Sequence, residues 1–150
     1  MAQFYDIDAA NGRIPEVRGI LGALRDQRAE LIRLRDLAVE RSTSVEAKAG
    51  EAKTGEAGRS AGGDAVPADD DARVLRLRMQ GVIDQMQAGV ARLVELDVTL
   101  RDIESGLIDF PALVNGRPVW LCWRLGEGDV EWWHELSTGF GGRRPLIELE

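Results

Sequence analysis

Cysteine, histidine and tyrosine occur once each in this chain of 150 residues. One cysteine excludes an internal disulfide and suits a reducing compartment. With one histidine and no Cys-x-x-Cys, the standard structural zinc patterns are absent. Basic residues are in deficit: 19 Lys and Arg against 26 Asp and Glu leave a formal charge of −7. That balance argues against nonspecific nucleic-acid binding, which needs a basic surface. Long apolar runs are also missing, and none approaches the roughly 18–20 residues that cross a bilayer. The opening Met-Ala-Gln-Phe-Tyr-Asp-Ile-Asp carries acids where a signal peptide carries bases. A soluble, cytoplasmic protein with no membrane partner is the expectation, and the length suits a single domain over 1–150.

What is present divides into four parts. Val17, Ile20, Leu21, Leu24, Leu31, Leu34 and Leu37 recur every three or four residues. They predict an amphipathic helix over about 7–42, with Asp6 or Asp8 as N-cap, a short helical piece from Ile7 to Asn11, and Pro15 in a first turn. Residues 43–68 are Ala, Gly, Glu, Lys and Ser with almost no large apolar side chain. They read as a flexible linker that cannot offset its ordering entropy, with a frayed extension of the first helix as an option. The acidic run Asp69-Asp70-Asp71 favours a helix start. The stripe Leu75, Met79, Val82, Met86, Val90, Leu93, Leu96, Leu100 and Ile103 carries that second helix to about 105, with Gly106 beyond its end. Gly81 and Gly89 interrupt it, either by neutral drift or to let helices approach closely.

From about 107 to 150 the pattern changes to short strands. Asn115-Gly116 is a hairpin signal. Pro118–Arg124 and Asp129–His134 flank the Gly126-Glu127-Gly128 turn, 138–145 is a glycine-rich loop, and Leu146–Leu149 is a last short strand. The fold class is α+β: a long antiparallel two-helix hairpin with a small C-terminal antiparallel β unit. Each buried Leu or Val is worth about 1.5–3 kcal/mol, and stripes this wide are not covered by a lone hairpin. A homodimer is therefore expected.

The motifs Ala10-Asn11 with Ile14-Pro15, Gly106-Leu107-Ile108-Asp109-Phe110-Pro111, Leu121-Cys122-Trp123-Arg124-Leu125-Gly126-Glu127, Trp133-His134 and Gly139-Phe140-x-Gly142-Arg143-x-Pro145 occur in this order. In them the chain resembles the bacterial family known as domain of unknown function 2203, over nearly its whole length outside the low-complexity segment. The resemblance implies a soluble single-domain prokaryotic protein, marks 43–68 as an insertion, and implies no activity.

All four tryptophans, with Cys122 and His134, lie between Trp120 and His134. Cys122, Glu127 and His134 are competent zinc or iron ligands, with Asp109 as a possible fourth. Their spacing matches no standard pattern, and whether Cys122 and His134 share a face depends on a strand register left open by the glycine-rich turn. The ordinary alternative, preferred here, is a buried thiol and a hydrogen-bonded histidine. A Cys122–His134 nucleophilic pair is the enzymatic version. Trp120, Trp123, Trp132 and Trp133 are candidates for an interface, with at least two of them expected in the core. Arg124, Glu127, Asp109, Arg143 and Arg144 surround the turns. Pairing of Glu127 or Asp109 with Arg143 to pin the glycine loop is preferred to anion binding. Two functions remain: an interaction or scaffold protein using its Trp-rich β unit with an unidentified protein partner, or a metal-dependent or small-molecule-binding enzyme centred on Asp109, Cys122, Glu127, His134 and Arg143.

Overall fold

A computed structural model of the chain describes residues 4–53 and 66–148. Two helices, α1 (Ile7–Lys53) and α2 (Val66–Glu95), precede five strands: β1 (Thr99–Asp102), β2 (Leu107–Val114), β3 (Arg117–Arg124), β4 (Trp132–His134) and β5 (Arg144–Pro145). The strands form one antiparallel sheet in the order β1-β2-β3-β4-β5. The architecture is α+β with a C-terminal β unit.

Asp6 starts α1 by accepting the Ala9 N–H at 2.7 Å on Oδ1, an N-cap bond. The helix is continuous from Ile7, so Pro15 lies inside it rather than in a first turn. Of the segment 43–68 expected as a linker, 43–53 and 66–68 are helical, and 54–65 lie outside the described residues. Ala, Glu and Lys, abundant from Glu46 to Lys53, are strong helix formers and carry α1 onward.

The second helix ends ten residues before the expected position. The Val98 N–H bonds to the Leu93 carbonyl at 2.9 Å and the Asp97 N–H to the Val94 carbonyl at 3.0 Å. Asp97 takes a left-handed φ of 59°. This is a Schellman motif with Asp, not Gly, at the residue beyond the cap, and its flanking Leu93 and Val98 are both buried. Leu96, Leu100 and Ile103 kept the helical period by coincidence, which concealed β1. Gly106 instead turns the chain from β1 into β2, with φ 69°. A Cβ there would lie 2.5 Å from that of Leu125. The Asn115-Gly116 hairpin is as expected, with φ of 53° and 78°. Leu146–Glu148 is a 3-10 turn rather than a strand.

The chain groups into two compact units, Met1–Arg28 with Met86–Glu150, and Ala29–Gln85. In the first, α1 and α2 pair antiparallel: Arg92 donates to Glu16 at 2.7 Å, and Gly89 approaches Leu24 so closely that a Cβ would lie 3.2 Å from it. Gly81, in the other unit, meets nothing. The close approach therefore belongs to Gly89 alone. The core of the first unit joins Ala10, Ile14, Val17, Leu21, Leu24 and Leu93 to one face of the sheet: Ile108, Phe110, Val119, Leu121, Trp123 and Trp133. Tyr5 packs edge-on against Phe110 at 5.0 Å and donates its hydroxyl to the Leu96 carbonyl. In the second unit, Arg41 pairs with Asp71, and Leu34 is the one fully buried apolar side chain among the described residues.

Candidate functional site

Strand pairing decides which side chains meet. Directly paired residues share a face, and side chains alternate along each strand. Asp109 is opposite Cys122, Cys122 is opposite Trp132, and Trp120 is opposite His134. Asp109, Cys122 and His134 therefore all point to one face, away from the face that carries Phe110, Leu121 and Trp133. Their donor atoms lie within 4.8 Å of one another, and all three residues are buried.

His134 Nδ1 lies 2.9 Å from the Glu135 carbonyl, and Nε2 lies 3.0 Å from Asp109 Oδ2. A carbonyl only accepts, so Nδ1 carries a hydrogen. Arg101 donates from Nε to the same Oδ2 at 2.8 Å. Arg101 owes its reach to a register shift between Leu100 and Asp102, a β-bulge that re-aims the side chain between them. Asp109 Oδ1, by contrast, is buried without a hydrogen-bond partner. Burial first, and the Asp109 charge second, push the Cys122 thiol up to about 12, so it stays protonated at neutral pH. A nucleophilic cysteine needs a base, and both ring nitrogens of His134 are committed elsewhere. The three residues line a cavity of about 240 Å³ together with Arg101, Leu107, Leu136, Thr138, Gly139 and Phe140.

Glu127 is not part of this cluster. It accepts the Arg124 N–H at 2.7 Å and pairs with Arg143 Nη2 at 2.9 and 3.0 Å. The Arg143 guanidinium lies 4.6 Å from the Trp132 ring and 4.7 Å from that of Phe140, and Arg124 lies 5.4 Å from Phe140. These contacts tie the glycine-rich segment to the β3–β4 turn. Arg144 instead lies over Trp133 at 5.7 Å. Trp123 and Trp133 are core residues, and Trp123 donates its indole N–H to the Gly128 carbonyl at 2.7 Å. Trp120 and Trp132 are half-buried, Trp120 under Arg101 at 4.9 Å. Asn11, in the Ala10-Asn11 motif, accepts the Val130 N–H at 2.7 Å and so anchors the approach to β4.

No motif in the sequence marks Arg101 or the lining residues Leu136 and Thr138. Arg101 lies in a stretch whose apolar period matches a helix. The β-branched pair Val98-Thr99 after Asp97 was the only hint of a strand there.

The motif set and this geometry meet in one comparison. The family described as "Uncharacterized conserved protein (DUF2203)" matches residues 3–146. The chain belongs to that family. Its motifs Gly106–Pro111, Leu121–Glu127 and Trp133-His134 are the segments that bring Asp109, Cys122 and His134 together. No curated protein and no solved structure matches the chain. Among the described residues, no helix is long and apolar enough to cross a membrane.

Proposed function

We propose that this is a small-molecule-binding protein whose working part is the outer face of the sheet, and that the helices are its scaffold. One observation carries this reading: Asp109, whose buried Oδ1 has no hydrogen-bond partner, lines a cavity of about 240 Å³. A buried unpaired acceptor costs about 1–3 kcal/mol, a loss that a purely structural Asp109–His134 pair has no reason to carry. Polar groups converging under a partly apolar wall are the usual form of a ligand site. Arg101, with its guanidinium partly in solvent at the cavity, is the group that favours an anionic end on the ligand. A Trp-based interaction surface is less well supported, because Trp123 and Trp133 are spent on the core and Trp132 on Arg143.

The test is two-dimensional NMR of the full chain against pools of small polar metabolites. The expected result is that signals of Asp109, Cys122, His134 and Thr138 move together. They should stop moving in Leu136→Trp, which fills the cavity while leaving the circular dichroism spectrum unchanged. Perturbations confined to Val74 and Leu77 on α2 would overturn the reading in favour of an interaction protein.

A second observation favours a homodimer. In the unit Ala29–Gln85, Leu37, Val74 and Leu77 are exposed and Leu31, Leu75, Met79 and Val82 are only partly covered. A second copy, closing a four-helix arrangement, supplies the missing cover. The lone cysteine accords with the reducing bacterial cytoplasm.

A further inference from the structure

We propose that Asp109, Cys122 and His134 form a binding site for one divalent transition-metal ion of the zinc class, with its remaining coordination position turned toward the cavity. The inference rests on the pocket reading above and names what that pocket holds.

Three observations converge on it. The donors are a thiol, an imidazole and a carboxylate on three adjacent strands, with their atoms within 4.8 Å of one another. That spread is the scale of a coordination sphere with metal–ligand bonds of about 2.0–2.3 Å. Second, Asp109 Oδ1 is buried with no partner, and an ion supplies one. Third, the histidine is set as a metal ligand is usually set: the Glu135 carbonyl holds Nδ1–H, which fixes the ring and aims Nε2 at Asp109, 3.0 Å from Oδ2, on the side where the Cys122 sulfur lies. Arg101 plays the matching part for Asp109, holding Oδ2 at 2.8 Å and leaving Oδ1 for the ion.

The donor set also chooses the class of ion. One sulfur, one nitrogen and one oxygen exclude magnesium and calcium, which take oxygen ligands, and suit zinc or its cobalt substitute. On binding, Cys122 Sγ gives its proton to solvent and coordinates as thiolate, and the proton held between His134 Nε2 and Asp109 Oδ2 also leaves to solvent, which frees the Nε2 lone pair for the ion. Thiolate and carboxylate together neutralise the two positive charges. Three protein ligands with an open position beside a cavity resemble reactive zinc sites, whereas closed structural sites use four protein ligands. Glu127, held by Arg143, is not a ligand.

The experiment is titration of metal-free full-length protein with Co²⁺ alone, read by absorption and by equilibrium dialysis. The expected result is one ion per chain, with the intense visible bands of four-coordinate cobalt and a near-ultraviolet thiolate-to-cobalt charge-transfer band. Cys122→Ser, nearly isosteric, should abolish the charge-transfer band. Asp109→Asn should weaken binding at least ten-fold, and Arg101→Ala should weaken it by about 10–100-fold as loss of a supporting contact. Glu127→Gln should bind like the wild type. Absence of stoichiometric binding, or a charge-transfer band that survives Cys122→Ser, overturns the proposal. If cobalt does not bind but metabolites still map to the cavity, the metal falls and the pocket reading stands. If cobalt binds with this signature while no metabolite maps there, the metal stands and the small-molecule reading falls.

Discussion

At the residue scale, the Asp109–His134 pair and the Glu127–Arg143 pair occupy the same small β unit yet share no partner. Mutational coupling should therefore follow the hydrogen bonds and not the proximity of the motifs in sequence. His134→Ala leaves a buried carboxylate with one partner fewer and should cost about 1–3 kcal/mol in denaturant melts of metal-free protein. Combined with Asp109→Asn, the losses should be strongly non-additive. Combined with Glu127→Gln, they should add to within about 0.5 kcal/mol. Coupling between His134 and Glu127 would show that the two networks are one. Cys122 provides a pH test. Its pKa is raised from 9.0 to about 12, chiefly by burial, so the folded chain holds the thiol proton more tightly than the unfolded chain. The stability this gives is complete below pH 9 and is lost as pH rises toward 12. Cys122→Ala should show a shallower alkaline loss of stability than the wild type, and iodoacetamide should label the native thiol far more slowly than the denatured one. Equal labelling rates would mean that the thiol is open to solvent.

At the scale of elements, the two helix glycines separate into different roles. Gly81 is exposed with open space around it, so Gly81→Ala should stabilise by about 1 kcal/mol, the ordinary helix-propensity gain. Gly89 faces Leu24, and its added methyl would lie 3.2 Å from the Leu24 side chain. Gly89→Ala should gain less than Gly81→Ala, or lose stability, as Leu24 is displaced. Thermal melts of the two variants decide it, and equal gains would mean that the helix pair has slack at Gly89. The same scale shows where local pattern reached its limit. Helical periodicity located both helices, and Asn115-Gly116 located the β2–β3 hairpin, because both signals are local and strong. The end of α2 carries no glycine signal, because Asp97 stands where Gly usually takes the left-handed conformation. The apolar period runs on to about 105 and so hides β1, and Arg101 with it.

At the scale of the whole molecule, the uneven burial of α2 is the feature with consequences. Leu93 is buried, whereas Val74 and Leu77 are exposed at 46% and 64%. Sedimentation equilibrium at micromolar concentration should give a dimer, and a Val74→Glu, Leu77→Glu variant should shift it to monomer while keeping its circular dichroism spectrum. A monomeric wild type over that range would assign those side chains to another partner or to none. Charge at an apolar helix face opposes association without disturbing a face that is already solvated.

The sequence by itself determined the presence of two long helices, the α+β class, the central hairpin and the concentration of unusual chemistry between Trp120 and His134. Each follows from spacings of two to four residues, which the backbone of a helix or strand converts directly into a shared face. Only the tertiary structure decided which reactive side chains meet. Asp109 and His134 are 25 residues apart on strands separated by a third, so their meeting depends on two pairing registers. A slip of one residue in either would have sent one of them to the core face. The β4–β5 pairing brought Arg143 to Glu127, and the shifted β1–β2 pairing put a bulged Arg101 beside Asp109. Face parity across strands belongs to the pairing of segments, and no single segment carries it.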